Sequence, residues 1–212
     1  MTNAEELTGV AGWAVDLMES MGGLGAGLAI ALENLFPPLP SEVILPLAGF
    51  TASQGSFSLA GALFWTTLGS VVGATVLYTF GALLGRDRLR AIWGRLPLVN
   101  LHDLDRTEAW FERHGRKAVF FGRMVPIFRS LISIPAGVER MPVTVFAGLT
   151  LAGSLIWNTI FVLAGYFLGE QWHRVEPYAD TFQKVVIVAV LAALAWFVVS
   201  RVRQRTRARP VK

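Results

Sequence analysis

Two apolar runs dominate the chain. Residues 43–85 and 141–169 contain no Asp, Glu, Lys or Arg, and each exceeds the ~20 residues that carry a helix across a ~30 Å hydrocarbon core. A third run, residues 185–200, is shorter, but Lys184 and Arg201 bracket it and can extend their stems to the interfaces. The pattern predicts membrane-spanning helices at about 57–85, 142–169 and 182–200. Ahead of them, residues 1–21 place Trp13, Leu17 and Met21 at helical spacing among Glu5, Glu6, Asp16 and Glu19, with no Lys or Arg. That reads as an acidic interfacial helix and lacks the basic start of a signal peptide. Residues 22–32 are apolar but short.

Between the first two spans the periodicity changes. Leu89, Ile92, Trp93 and Leu96 fall on one helical face and Pro97 ends that turn set. Asp103 is positioned to cap a second helix that Gly115 would close. Both helices are expected to lie at the cytoplasmic interface, with Trp and Arg at headgroup depth.

Two stretches fit neither a span nor a soluble helix. "ENLFPPLPSEVILPLAGF" joins Glu33 and Glu42 to Pro37, Pro38, Pro40 and Pro46, and "FFGRMVPIFRSLISIPAGVERM" joins Arg123 and Arg129 to Pro126 and Pro135. Irregular backbone at membrane depth persists only where protein buries it or where it lines a wet cavity. The two stretches are therefore expected to form re-entrant hairpins at about 33–50 and 118–138, entering from opposite sides. A weak internal repeat accompanies them. The hairpins end in "PLAG" and "PAG", and Gly69-Ser70, Gly81 and Gly85 recur as Gly153-Ser154, Gly165 and Gly169 at an offset of 84. Opposed repeats with broken helices are the architecture of many secondary transporters.

Composition agrees with this reading. Of 212 residues, 53% are hydrophobic and 16% charged, against roughly 25% charged in soluble domains. The fold class is an all-α polytopic membrane protein. It comprises an N-terminal helical segment (1–32), a core of two hairpin-plus-span repeats (33–169), an outer loop with a last span (170–200), and a basic tail (201–212). The tail carries six basic residues and no acid, and residues 86–117 hold eight basic and five acidic residues. The positive-inside rule puts both in the cytoplasm and residues 170–184 outside. The tail then sets topology and can touch anionic lipids, and a nucleic-acid role is disfavoured beside a membrane span. A homo-oligomer is compatible with the sequence. The absence of cysteine excludes disulfides, thiolate chemistry and Cys-based metal sites.

Four charges fall inside the broken stretches. Each costs about 2.5–3.5 kcal/mol at a lipid-exposed helix centre, so Glu33, Glu42, Arg123 and Arg129 are expected to share a partly wet cavity. Two Glu–Arg pairs clamping the hairpins together would satisfy them. Arg in place of Lys also suits bidentate phosphate binding, and a carboxyl sheltered from water takes up a proton more readily. Tyr78 is a candidate cavity lining or a packing side chain with one satisfied hydroxyl. Asn158 could line a path or bridge helices. Glu139 and Arg140 read as a solvated pair, and Gly69, Gly73, Gly81 and Gly85 as sites of close helix packing. His102, His114 and His173 lie outside the spans, and no G-x-S-x-G or paired-His motif occurs. A hydrolytic enzyme is disfavoured, and neither a cofactor nor a metal is called for. A proton-coupled transporter of small ions or amphipathic drugs, and a non-transporting assembly factor, remain as alternatives.

The "EN…P…E" pair, the "FFGRMVPIFRS…IPAG" block and "VVGATVLYTFGALLGR" resemble the DedA family, whose domain is also called VTT or SNARE-associated Golgi protein, over about Glu33 to Gly169. The resemblance implies an integral protein of the bacterial inner membrane with two opposed re-entrant loops. It further implies translocation of lipid, undecaprenyl phosphate or a phospholipid, with dependence on the proton motive force. The family's functional residues map onto Glu33 and Glu42 in the first loop as proton-coupling groups, and onto Arg123 and Arg129 in the second as phosphate-binding groups. Many members carry an acid after the glycine in the second span. Here that step is Gly73-Ala74, so no coupling role attaches to it.

Overall fold

The computed structural model describes residues 10–36, 41–95, 101–126 and 128–168, of which residues 10, 90, 92–95 and 101–108 are described by backbone alone. Every regular element among them is helical. In order these are α1 (Val10–Met21), α2 (Gly23–Leu35), α3 (Ser41–Ser53), α4 (Leu59–Arg95), α5 (Leu101–Gly122), α6 (Phe128–Leu131), α7 (Ser133–Val138) and α8 (Val143–Phe167). Two stretches, Leu59–Leu89 and Val143–Phe167, are long and apolar enough to cross a membrane, matching two of the three expected spans. The span expected at 182–200, the outer loop and the basic tail lie outside the described residues.

Close backbone approach organises the packing. α2 runs alongside α4 in the same direction, with Gly23 and Gly27 against Trp65, Gly69 on the carbonyl of Gly27, and Gly73 against Ala31 and Asn34. α3 crosses α8 antiparallel, with Gly49 on the Val162 carbonyl and Gly165 on the Pro46 carbonyl. α7 crosses α4 in the same manner, with Gly137 on the Tyr78 carbonyl and Gly81 on the Ile134 carbonyl. α4 and α8 are themselves antiparallel, since Tyr78 stacks on Phe146 at 4.7 Å while Asn158 reaches Ser70. At each of these contacts except Gly23, which faces the Trp65 ring, a single methyl group would meet a carbonyl oxygen. Small residues let the backbones approach where lipid supplies no hydrophobic drive for association. Large apolar side chains are left facing outward, among them Phe64, Val72, Phe80, Leu151 and Ile160.

Several expectations need correction. Glu33 does not begin an irregular stretch, because α2 stays helical to Leu35 and places Glu33 in its last turns. Pro46 does not break the chain but sits inside α3. It forgoes one backbone donor, and its own carbonyl lies under Gly165. Asp103 does not cap a helix closed by Gly115. Both lie within α5, which continues to Gly122, and Gly115 is needed where Phe111 and Met141 press on it. Gly85 is not a packing glycine. The space a side chain would take is open, and Gly85 adopts φ +67, bending α4 near the end of the apolar stretch. Glu139 pairs with Arg86 rather than Arg140, and Arg86 also donates to Glu112 at 2.5 Å, joining α4, α5 and the end of α7. In α1 the buried face is Ala14, Val15 and Met18, while Trp13 and Met21 are exposed.

The crossings give a direct prediction. Gly49→Ala and Gly137→Ala should each lower thermal stability in detergent by about 1–3 kcal/mol, the range of core overpacking. Gly148→Ala, with nothing within 4 Å, should not lower it, since Ala is the better helix former by about 0.5–1 kcal/mol. Thermal unfolding followed by size-exclusion recovery checks this, and an unaffected Gly137→Ala variant would refute the α4–α7 contact.

Candidate functional site

The end of α2 and the segment from Arg123 to Ser133 meet near the middle of both long helices. Asn34 packs on Gly73 of α4, and the Cβ and Cγ of Arg123 pack on Gly153 of α8. Gly153 is ten residues into α8, so at 1.5 Å per residue the site lies roughly 15 Å from that helix end. Sequence fixes this placement locally. α5 stops at Gly122, and Arg123, Met124 and Val125 form turns closed on the carbonyls of Phe120, Phe121 and Gly122. The Pro126 carbonyl accepts from Phe128 and starts the single turn of α6 that carries Arg129 and Ser130.

Here three of the four expected charges come together. Arg129 donates through Nη2 to the Glu33 carboxylate at 2.5 Å, and both side chains are at most 5% exposed. Arg123 is 1% exposed and has no carboxylate partner among the described residues. Its Nη1 donates to Asn34 Oδ1 at 3.2 Å and to the Arg129 carbonyl at 2.7 Å, and its Nη2 reaches Ser133 Oγ only at 3.5 Å. The Nε atoms of both arginines are buried without a partner. The site therefore holds one closed ion pair and one guanidinium balanced only by neutral acceptors. The Nε–Nη2 edge of Arg123, the fork that grips planar oxyanions, is left almost unused. The C-terminal end of α2 lends its partial negative charge to both arginines.

The two Glu–Arg pairs weighed from sequence thus reduce to one. Glu42 is half-buried at the start of α3 and makes no ion pair among the described residues. Tyr78 is a packing residue whose hydroxyl donates to the Met141 carbonyl at 2.5 Å. Asn158 bridges helices. Its Nδ2 donates to Ser70 at 3.2 Å, with Thr67 at 3.5 Å, and its Oδ1 is unpartnered. Sequence reasoning did not single out Asn34, Ser130 or Ser133, which are all fully buried and bonded in the cluster. Asn34 was the detectable one, because a polar amide beside Glu33 in an apolar helix needs a partner. Among the described residues no three His, Cys, Asp or Glu side chains gather as a metal-binding group.

The chain has relatives among known proteins. A family model described as the VTT domain matches residues 39–167. An "Alkaline phosphatase-like protein" of Lactococcus lactis is 40% identical over 178 residues, covering 82% of this chain and 83% of that protein. "Undecaprenyl phosphate transporter A" of Bacillus subtilis is 35% identical over 177 residues, covering 83% and 88%. The protein of the same name in Staphylococcus aureus is 32% identical over 183 residues, covering 85% and 90%. No solved structure matches. With the domain match extending over more than half its length, this chain belongs to the VTT-domain family of membrane proteins, the DedA family.

Proposed function

We propose that this protein is a lipid translocase that moves a phosphate-headed lipid, undecaprenyl phosphate or a phospholipid, across the bacterial inner membrane. The observation that carries the proposal is Arg123: a buried guanidinium at mid-span with its fork edge almost unused and no carboxylate partner among the described residues. A buried charge that lacks a counter-ion is costly, and a phosphate oxyanion supplies both charge and acceptors. Two relatives sharing about a third of their sequence with this chain are named as undecaprenyl phosphate transporters, which supports the same headgroup chemistry.

The pair beside Arg123 suggests how coupling to protons works. While Glu33 is ionised it occupies Arg129. When Glu33 takes up a proton, Arg129 is released and can join Arg123 on the phosphate. Loss of the proton restores the pair and weakens the hold on the headgroup. Glu42, at the start of α3, is the second proposed coupling residue. The lipid tails stay in the bilayer along the outward apolar faces of α4 and α8 while the headgroup passes the site.

In this reading α2 with α3, and α5 with α6 and α7, are opposed re-entrant hairpins in an inverted repeat. The reciprocal glycine contacts support it. Gly49 and Gly137 lie 88 residues apart in the two hairpins, and their partners Val162 and Tyr78 lie 84 apart in the two spans. The C-terminus is cytoplasmic, with the tail 201–212 against anionic lipid headgroups and residues 170–184 outside.

Three outcomes are expected. Arg123→Lys keeps the charge but removes the fork, so transport of phosphate-headed lipid in proteoliposomes should fall at least tenfold while the protein still inserts. Arg129→Lys should do the same to a lesser degree, and full transport by both would leave a purely structural ion cluster. Glu33→Gln should be less stable by about 3–5 kcal/mol, because Arg129 loses its partner, and the folded fraction should no longer respond to a pH gradient. Glu33→Asp should respond at a reduced rate, and undiminished gradient-driven transport by folded Glu33→Gln contradicts the coupling role. A reporter fused after Lys212 should be active only on the cytoplasmic side, and activity outside would reverse the assignment of both hairpins.

A further inference from the structure

Asn34 occupies the position that decides the charge of the site. It is fully buried in the last turn of α2, next to Glu33, and its amide is oriented by its own helix. Nδ2 donates to the Ile30 carbonyl at 3.0 Å, which turns Oδ1 toward the second hairpin. There Oδ1 accepts from Arg123 Nη1 at 3.2 Å and from Ser130 Oγ at 3.3 Å. This one oxygen is where the first hairpin grips Arg123, and it carries no formal charge.

We propose that Asn34 is a specificity-determining residue that selects anionic, phosphomonoester-type headgroups over zwitterionic ones by holding Arg123 without neutralising it. The inference rests on the phosphate-lipid reading above. Glu33 and Arg129 pair, Arg123 has no carboxylate partner among the described residues, and these three buried side chains together carry one net positive charge. A phosphomonoester, carrying between one and two negative charges at neutral pH, meets that excess. A zwitterionic phosphodiester brings its own ammonium toward a site that is already positive, and like charges at short range in a weakly screened interior repel. Glu42, half-buried at the start of α3, makes no ion pair among the described residues and so is not a direct partner of Arg123. Asn34 also acts on geometry. By engaging Nη1 together with the Arg129 carbonyl, it leaves Nε without a partner and Nη2 with only the long contact to Ser133, the edge a phosphate would take.

The near-isosteric change Asn34→Asp adds the charge and forfeits the Nδ2 donor to the Ile30 carbonyl, a loss that Asn34→Ala shares and so controls for. It places a carboxylate on Arg123 at the same distance and gives Arg123 the counter-ion that the phosphate would otherwise provide. Asn34→Ala removes the acceptor without adding charge. The measurement is headgroup accessibility in proteoliposomes containing either undecaprenyl phosphate or phosphatidylethanolamine, with wild type and both variants compared and thermal unfolding run in parallel. Wild type should favour undecaprenyl phosphate. Asn34→Asp should lose roughly tenfold or more of that activity, in keeping with the strength of a charge-assisted Arg–carboxylate contact. Its phosphatidylethanolamine activity should fall less, so that the preference collapses in protein that thermal unfolding shows to be folded. Asn34→Ala should be slower on both lipids and keep the preference. An Asn34→Asp protein with the wild-type preference overturns the role of Asn34 and leaves the phosphate-lipid reading intact. A preference that collapses equally in Asn34→Ala overturns it too, because loss of position rather than gain of charge would then be the cause. Wild-type protein that moves neither lipid overturns the phosphate-lipid reading itself, and this inference with it.

Discussion

A guanidinium held away from water at the centre of two long apolar helices imposes most of the order seen around it. Arg123 cannot be left facing lipid, so the chain brings three neutral oxygens to it: Asn34 from the end of α2, the Arg129 carbonyl and the Ser133 hydroxyl. Delivering Asn34 there requires α2 to lie flush on α4, and the glycines at positions 27, 69 and 73 allow that approach. Delivering Arg123 requires the turn after α5 to press on α8 at Gly153. The packing of the helices and the polarity of the site are therefore a single arrangement. Small residues bring backbones together, and the resulting enclosure lets two arginines and a glutamate exist at that depth.

The Glu33–Arg129 pair and the Asn34–Arg123 contact divide labour within the cluster. The first is a closed charge pair whose loss on either side would leave an uncompensated buried charge, so it ties the end of α2 to α6. The second ties the end of α2 to the turn after α5 by a hydrogen bond but leaves a positive charge unspent. On the proposed reading, the pair supplies a switch and the uncompensated arginine supplies the binding energy for a headgroup. Farther along, Arg86 with Glu139 and Glu112 fastens α4, α5 and the end of α7 where α4 bends at Gly85. This fastening lies at a water-exposed end, where ion pairs contribute less.

The charge-free runs announced α4 and α8 because hydrocarbon thickness sets a length that a sequence cannot disguise. The four charges in the broken stretches were equally visible, since nothing else in a greasy chain accounts for their cost. Helix boundaries were harder to read. Prolines suggested irregular backbone across 33–50, but Pro46 is accommodated within α3, and only a tertiary contact, the Gly165 approach to its carbonyl, shows why. Gly115 looked like a stop signal because a glycine's local conformational freedom is visible in sequence while the crowding from Phe111 and Met141 is not. Pairings were the least legible. Composition placed two acids and two arginines together, but it could not show that one arginine would be answered by an asparagine and that Glu139 would choose Arg86 across 53 residues.

The central claim is that Arg123 receives a phosphate at mid-membrane through the Nε–Nη2 edge. Solid-state NMR dephasing between guanidinium ¹⁵N and lipid ³¹P, in bilayers containing undecaprenyl phosphate, measures this contact directly, with Arg123→Lys protein identifying the signal. The account predicts a nitrogen–phosphorus separation of about 4 Å, as in a charge-assisted Arg–phosphate fork, lost in Arg123→Lys. Bound lipid whose phosphorus dephases no arginine nitrogen, or dephases it equally in Arg123→Lys, would contradict it.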